Sequence, residues 1–363
     1  MAIELKSAVE KALRVELPIA TLLQGPSLAE LATMLAALLD ETPETQLPPL
    51  VVEETSTAEV REYPLSIGQR ALWLQHQVAP GSVYNPVYAV QVKARVDIDA
   101  FERTLQVLTD RHPALRTTFG TRDGQPFQRV HPQGSPSQTG PHLAVVSAAA
   151  WTEAELEQRR SDEAYRPFDL ENGPLLRVFL FDRGAADPVL LLAAHHIVVD
   201  LWSLAIIIQE IGALYGWMTA ARQAETGQGD ASASPLPPAP ALGYTDFVHW
   251  QRALLDAAAG DQMWHYWRAQ LAGDLPDLNL PVDRSRPAVQ TFRGSVESLD
   301  LGTTLTGQLR EFSARVGVTP YVTLLAAFQA LLYRYTQSTD IIVGSPTTGR
   351  SRTELAPVVG YFV

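Results

Sequence analysis

The chain has 363 residues, 46% hydrophobic and 19% charged, which suits about two domains with buried cores and excludes wholesale disorder. The 40 acidic and 28 basic residues give a net charge of −12, against a nucleic-acid binder, which needs clustered Lys and Arg to neutralise phosphates. The absence of cysteine excludes a disulfide scaffold, a thiolate nucleophile and any Cys-ligated metal.

The first forty residues predict helix. Leu5, Val9 and Leu13 line one face, and Ser27 with Glu30 forms a capping box before the stripe Leu28, Leu31, Leu35, Leu38 and Leu39. Residues 42–62, with Pro43, Pro48, Pro49 and several Glu, predict a stiffened linker. From Tyr63 the texture is mixed α/β. Gln69 to Gln77 is helical, Tyr88 to Val96 alternates like a strand, and Asp99 to Arg111 is an amphipathic helix with Phe101, Leu105 and Leu108 inward. Pro174 to Phe181 and Pro188 to Ala194 are strands, and Asp200 to Met218 is a long helix. Residues 221–241, rich in Ala, Ser, Gly and Pro, predict a mobile surface loop.

Helices resume at Tyr244 to Ala258 and Gln262 to Leu271. Two more follow, an amphipathic helix with Leu305, Leu309 and Phe312 and a second helix with Leu324, Leu325, Phe328, Leu331 and Leu332; Asp340 to Gly344 reads as a buried strand. No stretch is expected to span a membrane: the most apolar helix, Leu201 to Met218, carries Gln209 and Glu210. The N-terminus lacks a secretory pattern, and the expectation is a soluble cytoplasmic protein. The last residues, Gly360 to Val363, are apolar without a cap or polar tail, which predicts a piece of a longer chain.

The most informative segment runs from the apolar strand Leu190–Ala194 through His195 and His196, then Ile197, Val198 and Val199, to Asp200, Leu201, Trp202 and Ser203. Successive strand side chains point to opposite faces, so only one of the two His can face a given cavity. That argues against joint chelation of one metal. Asp200 falls where the helix begins and can cap its free amides, or pair with an arginine to fix the loop. On residue types alone each of these positions has a plain structural reading: a satisfied polar His, a cap, a core Trp. No Gly-rich phosphate loop, G-x-S-x-G elbow or close acidic pair is present.

His195-His196-Ile197-Val198-Val199-Asp200 is similar to the HHxxxD motif of the condensation domains of non-ribosomal peptide synthetases and of the wider chloramphenicol-acetyltransferase-like superfamily. Further segments resemble the family in order: Leu65 to Leu74, Arg111 to Phe119, Tyr244 to Arg252, Leu280 to Pro287, Ile342 to Arg350 and Val359 to Phe362. One departure is Leu201, where the family usually has Gly.

The resemblance implies an α/β fold of two chloramphenicol-acetyltransferase-like lobes in a V shape, the first at 63–220 and the second, incomplete, at 242–363, with a tunnel between them. It implies His196 as the catalytic residue, with His195, Asp200, Ser203 and Arg116 in structural roles. Arg116 is the first choice of partner for Asp200 and Arg350 the second. Residues 1–41 resemble the end of an acyl carrier protein of polyketide type without its phosphopantetheine serine, which would make the parent a hybrid polyketide/peptide assembly line. The implied reaction is amide formation between an acyl thioester on an upstream acyl carrier and an aminoacyl amine on a downstream peptidyl carrier, with an adenylation domain in the same assembly line. Both substrates arrive on phosphopantetheine arms; no directly bound cofactor, metal, nucleic acid or membrane is expected. Epimerisation on a similar site and a non-catalytic carrier-docking module are the alternatives. Heterocyclisation, which replaces the His pair by Asp, and coenzyme A-dependent acetyl transfer are disfavoured.

Overall fold

The computed structural model describes residues 26–41, 47–52, 59–79, 81, 83–134, 140–141, 143–225, 238–285, 287–292 and 294–363, with single positions at 9, 13, 17 and 22. The expected helix around Leu5, the centre of the linker and most of the 221–241 loop lie outside these residues. The chain divides into two compact units, one of residues 48–257 with 346–363, the other of residues 1–47 with 258–345.

In the first unit, β1 (Arg61–Pro64), β3 (Thr117–Arg122) and β4 (Gln125–Val130) make a three-stranded antiparallel sheet in the order β1-β4-β3. The β3–β4 turn is Asp123-Gly124, both at positive φ (51° and 75°), the pairing a two-residue hairpin demands. A second sheet has the order β2-β7-β6-β5, from Val87–Gln91, Val189–Ala194, Leu176–Asp182 and Leu143–Ser147. Only β5 and β6 run parallel.

All six residues of β7 are buried. Such a strand reads as a continuous apolar run because both its faces are covered. Phe179, Phe181, Val189 and Leu191 pack with Leu156 of α4 (Glu153–Tyr165), while Leu176, Val178, Leu180, Leu190 and Leu192 are buried on the other face. Helix α2 (Ile67–Val78) follows β1, α3 (Ile98–Arg111) follows β2, and α5 (Leu201–Glu225) packs along α3.

By length and composition Leu201–Ala220 could cross a membrane. Here it lies on its own fold, with Ile207, Ile211 and Leu214 buried and Glu210 paired to Arg111 (2.7 Å) and His112 (3.0 Å). Burial would raise the Glu210 pKa; the hydrogen bonds from His112 and Arg111 outweigh it and bring the group to about 2.

Helix α6 (Tyr244–Leu255) and the last segment belong to this unit. The reason is aromatic packing: Tyr244, Phe247 and Trp250 are buried, and Phe362 meets Phe247 with ring centroids 4.6 Å apart and Tyr244 at 5.1 Å.

The second unit contains α1 (Leu28–Glu41), α7 (Ala258–Gln270), α8 (Gly302–Arg315) and α9 (Pro320–Thr336). The capping box before α1 is present: the Ser27 amide donates to Glu30 (2.8 Å) and the Glu30 amide to Ser27 (3.3 Å). The two helices expected late in the chain are α8 and α9; their Leu305, Phe312, Leu324 and Phe328 are 45–48% exposed. Asp340 to Gly344, expected as a buried strand, pairs with nothing among the described residues, and Ile342 is 52% exposed. A β-branched run becomes a strand only when its backbone groups find a ladder, and none is alongside.

Candidate active site

Strand β7 delivers the histidine pair. Its ladder continues past Ala194 for two residues: the His195 amide donates to Leu175 O (3.0 Å) and the His196 amide to Tyr84 O (2.8 Å). The chain then turns, with the Val198 amide donating to His195 O (3.2 Å), and enters α5.

The two imidazoles are placed differently. His195 is 2% exposed, set edge-on to His76 (5.8 Å between centroids) and Phe168 (6.1 Å). Its Nδ1 accepts from the Ile197 amide (3.1 Å), so the ring proton sits on Nε2. Burial first, then His76 and His196, push its pKa down to about 3. An unfolded chain would protonate this group below about 6.5. Stability is therefore lost as pH falls from about 6.5 toward 3, by up to about 1.4 kcal/mol per pH unit for one proton. Urea unfolding between pH 7 and 5 is expected to show that decline, and His195→Phe to flatten it; an equal decline in the variant would contradict the assignment.

His196 is half-buried. Its Nδ1 lies 2.7 Å from Val199 O. A carbonyl only accepts, so Nδ1 carries the hydrogen and Nε2 presents a lone pair. The short apolar connection Ile197–Val199 thus sets the tautomer of the ring that precedes it.

Asp200 is the N-terminal cap of α5 and the hub of the site. Its Oδ1 accepts from the Ser203 amide (2.7 Å) and from Arg350 Nη2 (3.1 Å), and its Oδ2 from Arg350 Nη1 (2.6 Å) and the Phe362 amide (3.2 Å). The pair is 1% and 4% exposed. The partner is Arg350, not Arg116. Arg116 ends the turn Pro113–Arg116 before β3, donates through Nη1 to the His131 carbonyl, and pairs with no carboxylate among the described residues. Burial lowers its pKa.

Ser203 is buried, its Oγ donating to Gly360 O (2.8 Å) and accepting from the Gly360 amide (3.0 Å) and Arg350 Nη2 (2.8 Å). Arg350 Cζ also lies over the Phe362 ring, 3.9 Å from its centroid, a cation–π contact on a bidentate ion pair. Only glycine fits at 360, since a Cβ there would overlap the Tyr244 ring.

Sequence reasoning left three supports unassigned. Gln69, buried in the Ser66 capping box of α2, donates through Nε2 to Ile197 O (3.2 Å) and holds the turn between His196 and Asp200. Tyr244 shares a hydrogen bond with Ser66 Oγ (2.8 Å) and donates to the Tyr361 carbonyl. Burial raises its pKa strongly. Trp202 is 40% exposed and donates from Nε1 to Ala356 O (3.0 Å). Leu201 points outward at 75% exposure. Among the described residues no three His, Asp or Glu are grouped to hold a metal. A cavity of about 430 Å³ is lined by residues that include Phe168, Asp169 and Arg177 and by neither His195 nor His196.

The profile of the Condensation domain matches residues 59–363. The chain is 34% identical over 365 residues to tyrocidine synthase 3 of Brevibacillus parabrevis, covering all of this chain and 5% of that protein. It is 38% identical over 300 residues to phosphinothricin tripeptide synthetase PhsC of Streptomyces viridochromogenes, covering 82% of this chain and 26% of that one. Among solved structures, the X-domain from teicoplanin biosynthesis is similar at a TM-score of 0.69 and 28% identity, over 87% of this chain and 66% of that one. The first condensation domain of the CDA synthetase shares the fold at a TM-score of 0.66 and 22% identity, over 83% of this chain and 69% of that one. The chain thus spans a small fraction of the curated relatives it matches. The match to the family over residues 59–363, with relatives of 34–38% identity among the peptide synthetases, shows that the chain belongs to the condensation-domain family.

Proposed function

We propose that this chain forms an amide bond between an acyl thioester on an upstream carrier and the α-amine of an aminoacyl thioester on a downstream carrier, with His196 as the catalytic residue. The observation that carries the reading is the hydrogen bond from His196 Nδ1 to Val199 O, which leaves Nε2 as the acceptor nitrogen, with no hydrogen-bond partner among the described residues. The amine nitrogen attacks the thioester carbon and the carbon–sulfur bond breaks. The amine proton passes to Nε2 and from there to the departing thiolate. An α-amine has a pKa of about 7.7–8.0, so a useful fraction is already neutral near pH 7. A thioester is an activated acyl group, so holding two tethered reactants in line supplies much of the effect, up to about 7–11 kcal/mol in ideal cases. His196 then orients the amine, accepts its proton and lends a hydrogen bond to the tetrahedral intermediate.

Asp200, Arg350 and Ser203 act by position, fixing the start of α5 and thus the turn that carries His196. Nothing in this chemistry calls for a metal, and the phosphopantetheine arms belong to the carriers. We assign residues 1–41 to the end of a carrier. Matches covering the whole chain include phosphinothricin tripeptide synthetase PhsB, which favours a peptide carrier over the polyketide type. A cytoplasmic site and a neighbouring adenylation domain follow from the assembly-line reading.

A docking role is the second reading, because a similar X-domain is solved in complex with OxyB. The test uses the full-length synthetase with both carriers loaded. The expected product is the donor acyl group in amide linkage on the downstream carrier. A D-aminoacyl thioester formed without donor would favour epimerisation, and carrier binding without turnover would favour docking.

A further inference from the structure

Tyr361 stands against the proposed catalytic ring. Its ring meets that of His196 edge-on, centroids 5.1 Å apart and planes at 69°. The backbone around it is fixed on three sides: Gly360 by Ser203, the Tyr361 carbonyl by the Tyr244 hydroxyl, and the Phe362 amide by Asp200 (3.2 Å). The ring is seated against α2 at Gly68. A Cβ there would lie 2.8 Å from Tyr361 Cε1, 3.1 Å from Cδ1 and 3.3 Å from Val363 O. Any larger residue at 68 must push the ring. Burial, with Tyr84 and Asp200 adding, raises the phenol pKa, so the group acts as a neutral aromatic surface.

We infer that Tyr361, seated by Gly68, is a specificity-determining residue that walls the approach to His196 and selects compact acceptor aminoacyl groups. This rests on the amide-forming reading above. The Tyr361 ring is in edge-on contact with the imidazole, so an amine reaching His196 from that side meets the phenol ring. A steric pocket of this kind discriminates by about 10–200-fold.

The test is acceptor competition in the full-length synthetase, with the downstream carrier loaded with alanyl or with phenylalanyl thioester. Tyr361→Leu is expected to raise the phenylalanyl-to-alanyl ratio of kcat/KM by about tenfold or more, mainly through KM for the loaded carrier. Tyr361→Phe is expected to keep the wild-type ratio, because the wall is the ring and not the hydroxyl. Gly68→Ala, which favours the helix intrinsically, is expected to lower the ratio by crowding the ring. Adding Tyr361→Ala should reverse that loss by removing the two nearest contacts. Unchanged ratios in Tyr361→Leu and Gly68→Ala, in proteins that melt as wild type, would overturn the inference. His196→Ala separates the two levels: if that variant still makes product the catalytic reading falls, whereas its silence with unchanged ratios overturns only the wall.

Discussion

Asp200→Ala is expected to destabilise the fold by about 3–5 kcal/mol, the range for removing one member of a buried ion pair. The carboxylate accepts four hydrogen bonds, from the Ser203 and Phe362 amides and both terminal nitrogens of Arg350. Its loss strands a guanidinium that is 4% exposed, uncaps α5 and frees the segment bearing Phe362. The Phe362 ring lies under the same guanidinium, so the aromatic cluster with Tyr244 and Phe247 loosens as well. Arg350→Ala should cost a similar amount. The double variant should cost less than the sum, because the second change removes a charge already without its partner. Thermal or urea unfolding of the intact chain checks this. An unchanged midpoint in Asp200→Ala would mean that the residue is only a solvated cap.

His196→Ala is expected to act on rate. Removing a positioned general base costs about 10²–10⁴-fold. The ring is half-buried and, among the described residues, makes one side-chain hydrogen bond, to Val199 O, so the unfolding midpoint should shift little. The neighbouring position should behave the other way. His195 is enclosed by His76 and Phe168 and accepts the Ile197 amide, so a substitution there should lower the midpoint first and activity only as a consequence. Steady-state amide formation and unfolding, measured on both variants, check the contrast.

The parts legible in the sequence are those where periodicity and burial agree. The amphipathic pattern from Asp99 predicts helix α3, which runs Ile98–Arg111; β6 and β7 fall within a residue or two of the runs ending at Phe181 and Ala194. Strands β3 and β4 escape such a reading because Thr117–Arg122 and Gln125–Val130 are mostly polar, and their apolar periodicity is weak. The usable signal there is Asp123-Gly124, the dipeptide of a tight hairpin. Strand β2 is shorter than the alternation from Tyr88 to Val96 suggests: it ends at Gln91, and beyond it the Val92 amide donates to Pro188 O (2.9 Å), a proline with no amide to return.

At the site, the His pair and Asp200 are singled out by their resemblance to the HHxxxD motif, not by residue type or spacing alone. The choice of Arg350 over Arg116 is not so marked, because the partner comes from 150 residues further along the chain. Local sequence carries no record of which distant arginine a buried carboxylate meets. The same holds for Gln69, Tyr244 and Tyr361, whose roles arise only once α2, α6 and the last segment are brought to the turn after β7.

The most direct measurement is the intact mass of the downstream carrier after one turnover of the full-length synthetase, loaded with donor and acceptor, for the wild type and for His196→Ala. Amide transfer through His196 predicts that the wild type shifts the carrier by the mass of the donor acyl group while the folded variant leaves it unshifted over the same interval. Equal transfer by both would contradict it.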